Sequence, residues 1–260
     1  EGVGVAARII RQSLKPCIIA GEGILRGKLT ENLVHFAEYI EAPVYTAWRR
    51  FDAFPNKHRL YMGGIHLSSI SNELSDPLKK SDLLIALGTR LDEFTTMNYS
   101  CPSNDQKLIH IDQSPEDTGG SWVGANHAIL ANVGDAILSI EKALKILNFP
   151  KPLKARLNEV ENWNRNFKEK TTPRIKKNEL GDEKIDLEGI FYEIIRILDD
   201  DASITCDAGD FGSWLIRYYK WNKPNTFFGP TSGAMGYALP AAIAAKLARP
   251  KSPAIAFAGD

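Results

Sequence analysis

Short apolar runs alternate with amphipathic stretches through the first half of the chain. Residues 16–22 (PCIIAGE), 43–47 (PVYTA), 82–88 (DLLIALG) and 107–112 (KLIHID) are rich in β-branched and aliphatic side chains and predict strands. Residues 28–41 carry Leu29, Leu33, Phe36 and Ile40 at helical spacing, which predicts a helix with one buried stripe. Near-continuous apolar strands separated by helices are the pattern of a parallel sheet covered on both faces. The first unit, 1–150, is therefore expected to be a Rossmann-like α/β domain that closes on a helix near 134–147.

The pattern then breaks. Residues 151–184 are polar and charged and read as a connector, in which 153–169 could form a solvated helix touching the body through Leu157, Val160 and Phe167. A second α/β unit, 185–260, opens with helix 186–198, strand 202–207 (ASITCD), a helical stretch from 211, helix 235–247 and strand 253–258 (PAIAFA). The first face of helix 235–247 is read as Leu239, Ala242, Ile243 and Leu247. Two strands are too few for an independently stable sheet, so the rest is expected beyond Asp260 in a longer polypeptide.

Charge and cysteine usage narrow the classes. The 32 basic and 32 acidic residues cancel, so no general field draws the chain to nucleic acid or an anionic membrane, and any bound anion must be held by local geometry. Cys17, Cys101 and Cys206 lack metal-ligand spacing and read as buried thiols of a cytoplasmic protein. No apolar run approaches the ~20 residues of a membrane span.

Glycine turns after strands carry the candidate chemistry. Gly21-Glu22-Gly23-Ile24-Leu25-Arg26-Gly27 misses the dinucleotide fingerprint because its third glycine falls one position late, leaving a nucleotide site and a plain tight turn both open. Gly88-Thr89-Arg90-Leu91-Asp92 places a guanidinium at a strand end, where it could hold a phosphate or pair with Asp92 or Glu93. Asp112 ends the next strand and could accept ribose or adenine hydrogen bonds, whereas His66, after Gly63-Gly64-Ile65, reads more readily as structural than as an acid or base. In the second unit, Asp207-Ala208-Gly209-Asp210-Phe211-Gly212 opens a helix whose free amides suit a diphosphate. Two acids in that loop oppose an anion unless magnesium lies between them.

The ordered set DAGDFGSW, PTSGAMGYALPAAIAAKLARP and AIAFAGD resembles the diphosphate-binding domain of thiamine-diphosphate enzymes. Segments 16–23, 43–66, 81–94 and 107–115 are similar to the middle domain of the acetolactate synthase and pyruvate oxidase group. The resemblance implies a thiamine-diphosphate- and magnesium-dependent lyase or carboligase acting on a 2-keto acid, working as a homodimer or homotetramer. It implies that Gly209, Asp210 and Phe211 touch the diphosphate, that Gly233, Ala234 and Met235 hold the bent ring system, and that Gly259-Asp260 brings the metal ligand, Asp260. The activating glutamate of the family belongs to an N-terminal domain absent here, so this chain carries no catalytic residue of its own and is expected to be silent alone. For the first unit the resemblance leaves FAD, another adenine nucleotide or an empty fold open at Gly21, Gly23, Gly64, Ile65, Gly88, Arg90 and Asp112. Phe94 replaces a second arginine expected after Arg-x-Asp, and 46–53 (TAWRRFDA) departs from a flavin-contact segment. The competing readings are an NAD-dependent oxidoreductase and a non-catalytic nucleotide- or FAD-binding module.

Overall fold

The computed structural model describes residues 2–65, 74–119, 123–174 and 186–259. In chain order the first unit runs α1 (Gly2–Gln12), β1 (Pro16–Ala20), α2 (Glu22–Arg26), α3 (Thr30–Ile40), β2 (Val44–Thr46), β3 (Tyr61–Gly64), α4 (Asp76–Lys79), β4 (Leu83–Leu87), β5 (Lys107–Asp112), β6 (His127–Leu130), α5 (Val133–Ile146) and α6 (Lys154–Lys170). Its strands form one parallel sheet in the order β3-β2-β1-β4-β5-β6. Ile18 lies level with both Val44 and Ile85, and Ile85 with Ile109, so aliphatic side chains form rows across the sheet centre. Every residue of β1, β2 and β4 is buried, which is why their sequences are apolar throughout rather than alternating. The Rossmann-like α/β expectation holds.

Several elements of this unit escaped the sequence pattern, among them the short helices α2 and α4. α1 covers the sheet through Ala6, Ala7 and Ile10, too few large side chains to mark a helix. β3 is YMGG, and glycine carries little strand propensity. Its Gly64 is required by packing, since a Cβ there would fall 2.3 Å from Cδ1 of Phe51. β6 is a short edge strand, largely open to solvent. In α5 the Asn132 carboxamide oxygen accepts from the amides of Gly134 (2.9 Å) and Asp135 (3.3 Å), which fixes the helix start one residue before its expected position.

The connector helix is docked rather than merely solvated. Val160 and Phe167 of α6 join the first core, Asn164 Nδ2 donates to the Tyr61 carbonyl (3.2 Å), and Arg156 Nη2 donates to the Pro16 carbonyl (3.1 Å). Leu157 stays half-buried.

The second unit comprises α7 (Leu187–Ile197), β7 (Ser203–Cys206), α8 (Phe211–Tyr218), β8 (Phe227–Phe228), α9 (Ala238–Ala248) and β9 (Ala254–Phe257). β8, two residues long and unpredicted, makes the sheet three-stranded and parallel in the order β8-β7-β9. α9 corrects the sequence reading of its face. Ala238, Ala242 and Ala245 turn inward, while Leu239, Ile243 and Leu247 are exposed. The small residues let the helix lie close to the sheet, where buried Thr205 Oγ1 donates to the Ala238 carbonyl at 2.7 Å.

Residues 47–56, between β2 and β3, join the units. Phe51 belongs to the second core, stacking on Trp221 (5.5 Å between centroids) and meeting Phe227 at 4.9 Å. Asn56 and Trp221 exchange hydrogen bonds, the Asn56 amide to the Trp221 carbonyl (2.8 Å) and the Trp221 amide to Asn56 Oδ1 (3.1 Å). The Asp52 carboxylate accepts from the amides of Thr226 (2.9 Å) and Phe227 (3.2 Å). Among the described residues no helix is long and apolar enough to cross a membrane.

Candidate active site

The strand order of the first unit's parallel sheet reverses between β1 and β4, and the turns after those strands meet there. Gly21 and Gly23 leave room for Gly88. A Cβ at Gly21 would lie 2.3 Å from the Gly88 carbonyl oxygen, one at Gly23 would lie 2.8 Å from Gly88 Cα, and Gly88 itself takes φ +62°. Contact between two turns is thus sufficient reason for these glycines. His110 ties β5 to the same place. Its Nδ1 accepts from the Gly119 amide (3.1 Å), so Nε2 carries the hydrogen donated to the Thr89 carbonyl (2.8 Å), and burial lowers its pKa.

Beside these turns is a cleft of about 450 Å³ whose walls include Gly23, Gly88, Arg90 and Asp112. Arg90 is exposed and makes no ion pair with Asp92 or Glu93 among the described residues, contrary to the simplest sequence reading. Asp112 Oδ1 accepts from the Ser114 amide at 2.9 Å. Gly64 and Ile65 are not brought to this cleft: Gly64 backs onto Phe51, and Ile65 is buried in the core. His66 lies outside the described residues.

The turns of the second unit do converge. The Asp207 amide donates to the Phe257 carbonyl at 2.9 Å, which sets the end of β7 beside the end of β9. The Phe211 ring lies against two glycines, since a Cβ at Gly209 would fall 2.3 Å from its Cε1 and one at Gly259 would fall 3.3 Å away. The Asp207 carboxylate spans to the third turn, accepting from the amides of Gly236 (3.0 Å) and Ala238. It therefore caps α9 rather than waiting for a cation beside Asp210, as the sequence suggested. Gly233 (φ +74°) and Gly236 (φ +75°) need left-handed backbone, and the space where their side chains would stand is empty. Ala234 is exposed and Met235 is 74% exposed, so the methionine is not spent on the core. Asp210 starts α8 without capping it. Asp260 lies outside the described residues, and no cluster of three metal-ligating side chains occurs among the described ones.

A larger cavity of about 680 Å³ opens between the units, walled by Gly209, Asp210, Ser232 and Gly233 on one side and by Trp48, Arg49, Arg90 and Phe94 on the other. Phe94 stacks on Trp48 (4.8 Å, 14°). Arg49 takes φ +58° and is 6% exposed, with its guanidinium 4.7 Å from the Trp48 ring. Burial pulls its pKa down, opposed by Cys206, Asp207 and Tyr237. Arg50 pairs with Glu22. The importance of Arg49 and Asp52 was missed because the sequence reading judged TAWRRFDA only by its fit to a flavin segment. The signal available was two adjacent arginines in an otherwise apolar strand-end loop. The three cysteines are buried and free; burial raises the Cys101 thiol to about 12 and Cys206 to about 11.

Comparison with known proteins agrees with this arrangement. Residues 3–141 match the family model for the central domain of thiamine pyrophosphate enzymes, and residues 207–260 match that for their C-terminal TPP-binding domain. The chain is 29% identical over 263 residues to an acetolactate synthase of Mycobacterium leprae, covering 99% of this chain and 40% of that protein. It is 31% identical over 265 residues to one from Mycobacterium bovis (98% and 40%). A probable acetolactate synthase large subunit of Methanocaldococcus jannaschii is 28% identical over 264 residues (98% and 43%). The chain spans about two fifths of the length of these relatives. With the central-domain model alone covering more than half of it, the chain belongs to the thiamine pyrophosphate enzyme family.

Proposed function

We propose that this chain supplies the central domain and the cofactor-gripping turns of a thiamine-diphosphate- and magnesium-dependent enzyme that decarboxylates or joins 2-keto acids, as an acetolactate synthase does. The observation that carries the reading is the convergence of the 207–211, 233–238 and 257–259 turns around an open glycine loop, at the mouth of the cavity between the units. The residues fit the cofactor. The start of α8 at Gly209, Asp210 and Phe211 presents free amides to a diphosphate, and Gly259 leaves space beside it. Gly233 would offer its carbonyl to the aminopyrimidine, Ala234 leaves the approach clear, and exposed Met235 is available to wedge between the rings.

Bound there, the cofactor supplies an electron sink for cleavage next to a keto group. The protein's task is positioning. Asp207 holds the amides at the start of α9, so the loop carrying Gly233 and Met235 is fixed at its far end. Asp260 would bring the carboxylate that holds magnesium beside the diphosphate; magnesium favours oxygen ligands and commonly keeps one or two carboxylates plus phosphate oxygens. The activating glutamate would come from another domain, within a homodimer or homotetramer in the cytoplasm. FAD is not carried into this reading, because Gly64 and Ile65 are packed away from the nucleotide-like cleft and Phe94 replaces the second arginine.

Calorimetry of the full-length protein with thiamine diphosphate and magnesium, followed by carbon dioxide release from pyruvate, tests the proposal. Saturable binding and thiamine-dependent turnover are expected. No heat and no turnover would overturn it, and nicotinamide absorbance in the purified protein would favour an oxidoreductase instead.

A further inference from the structure

Arg49 is a buried cation with no ion pair among the described residues. Its Nε and Nη1 are shut from solvent and have no hydrogen-bond partner among the described residues, although the residue walls both the cleft of the first unit and the cavity between the units. A guanidinium so placed costs stability unless something supplies acceptors. The acids nearby do not. The Asp207 carboxylate is engaged by the α9 amides, Asp92 Oδ1 accepts from the Thr95 amide (2.8 Å), and no carboxylate lies within ion-pair distance of Arg49 among the described residues. Trp48 supports one face of the group, and Gly229 lies close to Nη1, where a Cβ would come within 3.4 Å. Arg90, on the same wall of the cavity, is a second cation with no ion pair among the described residues.

The geometry points to an oxyanion subsite in this cavity, with Arg49 as the main receptor and Arg90 as the second charge, taking a carboxylate or phosphate group of a ligand seated between the units. The planar fork of a guanidinium matches either oxyanion, so the chemistry is shared by two sources: a substrate carboxylate on the side of Gly233, or a nucleotide phosphate on the side of Gly23. The subsite needs no thiamine diphosphate, so titration without that cofactor separates this proposal from the reading above.

The experiment titrates the full-length protein with oxalate and, separately, with ADP at low ionic strength by calorimetry, and compares R49Q and R49K. Saturable binding of oxalate places the subsite on the substrate side, and binding of ADP alone places it on the nucleotide side. In either case R49Q should weaken binding roughly ten- to a hundredfold, the worth of a hydrogen bond to a charged group. R49K should recover part of the loss, keeping the charge without the fork. Should R49Q fail to fold, R49K decides: weaker binding than the unsubstituted protein supports the subsite. Failure of the unsubstituted protein to bind either oxyanion, or binding unchanged by substitution of Arg49, overturns it.

Discussion

Asp207 offers the sharpest test of how the 233–238 loop, proposed to grip the cofactor, is held. Its carboxylate accepts from the amides of Gly236 and Ala238, so Asp207→Ala leaves both without their present acceptor and frees a loop that already carries two left-handed glycines. Loss of a side-chain cap costs about 0.5–2 kcal/mol, and this cap is charged and spans two turns, which puts it in the upper half of that range. If only the ordered loop grips the cofactor, the apparent affinity falls by the fraction of molecules that remain ordered. One to two kcal/mol then becomes a loss of roughly five- to thirtyfold in thiamine diphosphate affinity. Asp207→Asn, which keeps one acceptor oxygen but no charge, should fall between. The assay is calorimetric titration with thiamine diphosphate at several fixed magnesium concentrations. A cap predicts the same proportional loss at every concentration, because the carboxylate does not touch the metal. A metal ligand predicts a loss that excess magnesium repairs. Affinity within twofold of the unsubstituted protein, or a defect abolished by magnesium, refutes the capping role.

The other predictions concern the joint between the units and the first-unit turn. Arg49→Met should raise the melting temperature of the ligand-free protein: removing two unpaired buried donors gains about 1–3 kcal/mol each, less about 0.5–2 kcal/mol for the contact with Trp48. A lower melting temperature would show that those nitrogens are paired. Phe51→Ala, which deletes a buried ring from the cluster with Trp221 and Phe227, should cost about 3–5 kcal/mol in urea unfolding and loosen the second unit first by hydrogen exchange. Gly21→Ala should cost about 1–3 kcal/mol, because its Cβ meets the Gly88 carbonyl at 2.3 Å and the two turns must part. For Asp200 and Glu159, burial acts to raise the carboxyl pKa. It is outweighed at Asp200 by hydrogen bonds from Asn222 and Lys57, and at Glu159 by those from Lys15 and Arg156, so both pKa values are lowered. Each therefore contributes stability that is present above the unfolded pKa near 4 and is lost as pH falls through the lower folded value. Thermal melts should decline below about pH 4, and Asp200→Asn should flatten the decline.

Legibility from sequence followed burial. β1 and β4 were readable because both of their faces are covered and each position therefore had to be apolar, and β5 because its buried Leu108, Ile109 and Ile111 stand out beside His110 and Asp112. β3, β6 and β8 were not, because one is half glycine, one is an open edge and one is two residues long. The face of α9 was misread for a related reason. Hydrophobicity ranks Leu239, Ile243 and Leu247 above alanine, yet close approach to β7 selects the smaller side chains, Ala238, Ala242 and Ala245. In the candidate site, the turn glycines and Met235 stood out by residue type. The role of Asp207 did not, because an aspartate at a strand end looks the same whether it faces a metal or two amides 29 and 31 residues away.

The segment from Ala47 to Asn56 shows why those turns sit where they do. A joint between two α/β units could be a flexible tether, yet here it inserts Phe51 into the second core and gives the Asp52 carboxylate to the amides of Thr226 and Phe227 at the start of β8. Burial raises the Asp52 pKa against the pull of those amides, and Oδ1 has no partner among the described residues, so the aspartate carries a cost. That cost is offset only if β8 and the loop after it stay fixed against the first unit. The same short loop carries Arg49 toward the cavity, so the ring and carboxylate that fasten the units also set how far the guanidinium lies from the 229–233 turn. Weakening the fastening should therefore cost oxyanion affinity before it costs the fold of either unit. In the Asp52→Asn protein, a weaker oxalate or ADP titration at unchanged circular dichroism is the expected result. Unchanged binding would mean that Arg49 is positioned by its own unit alone.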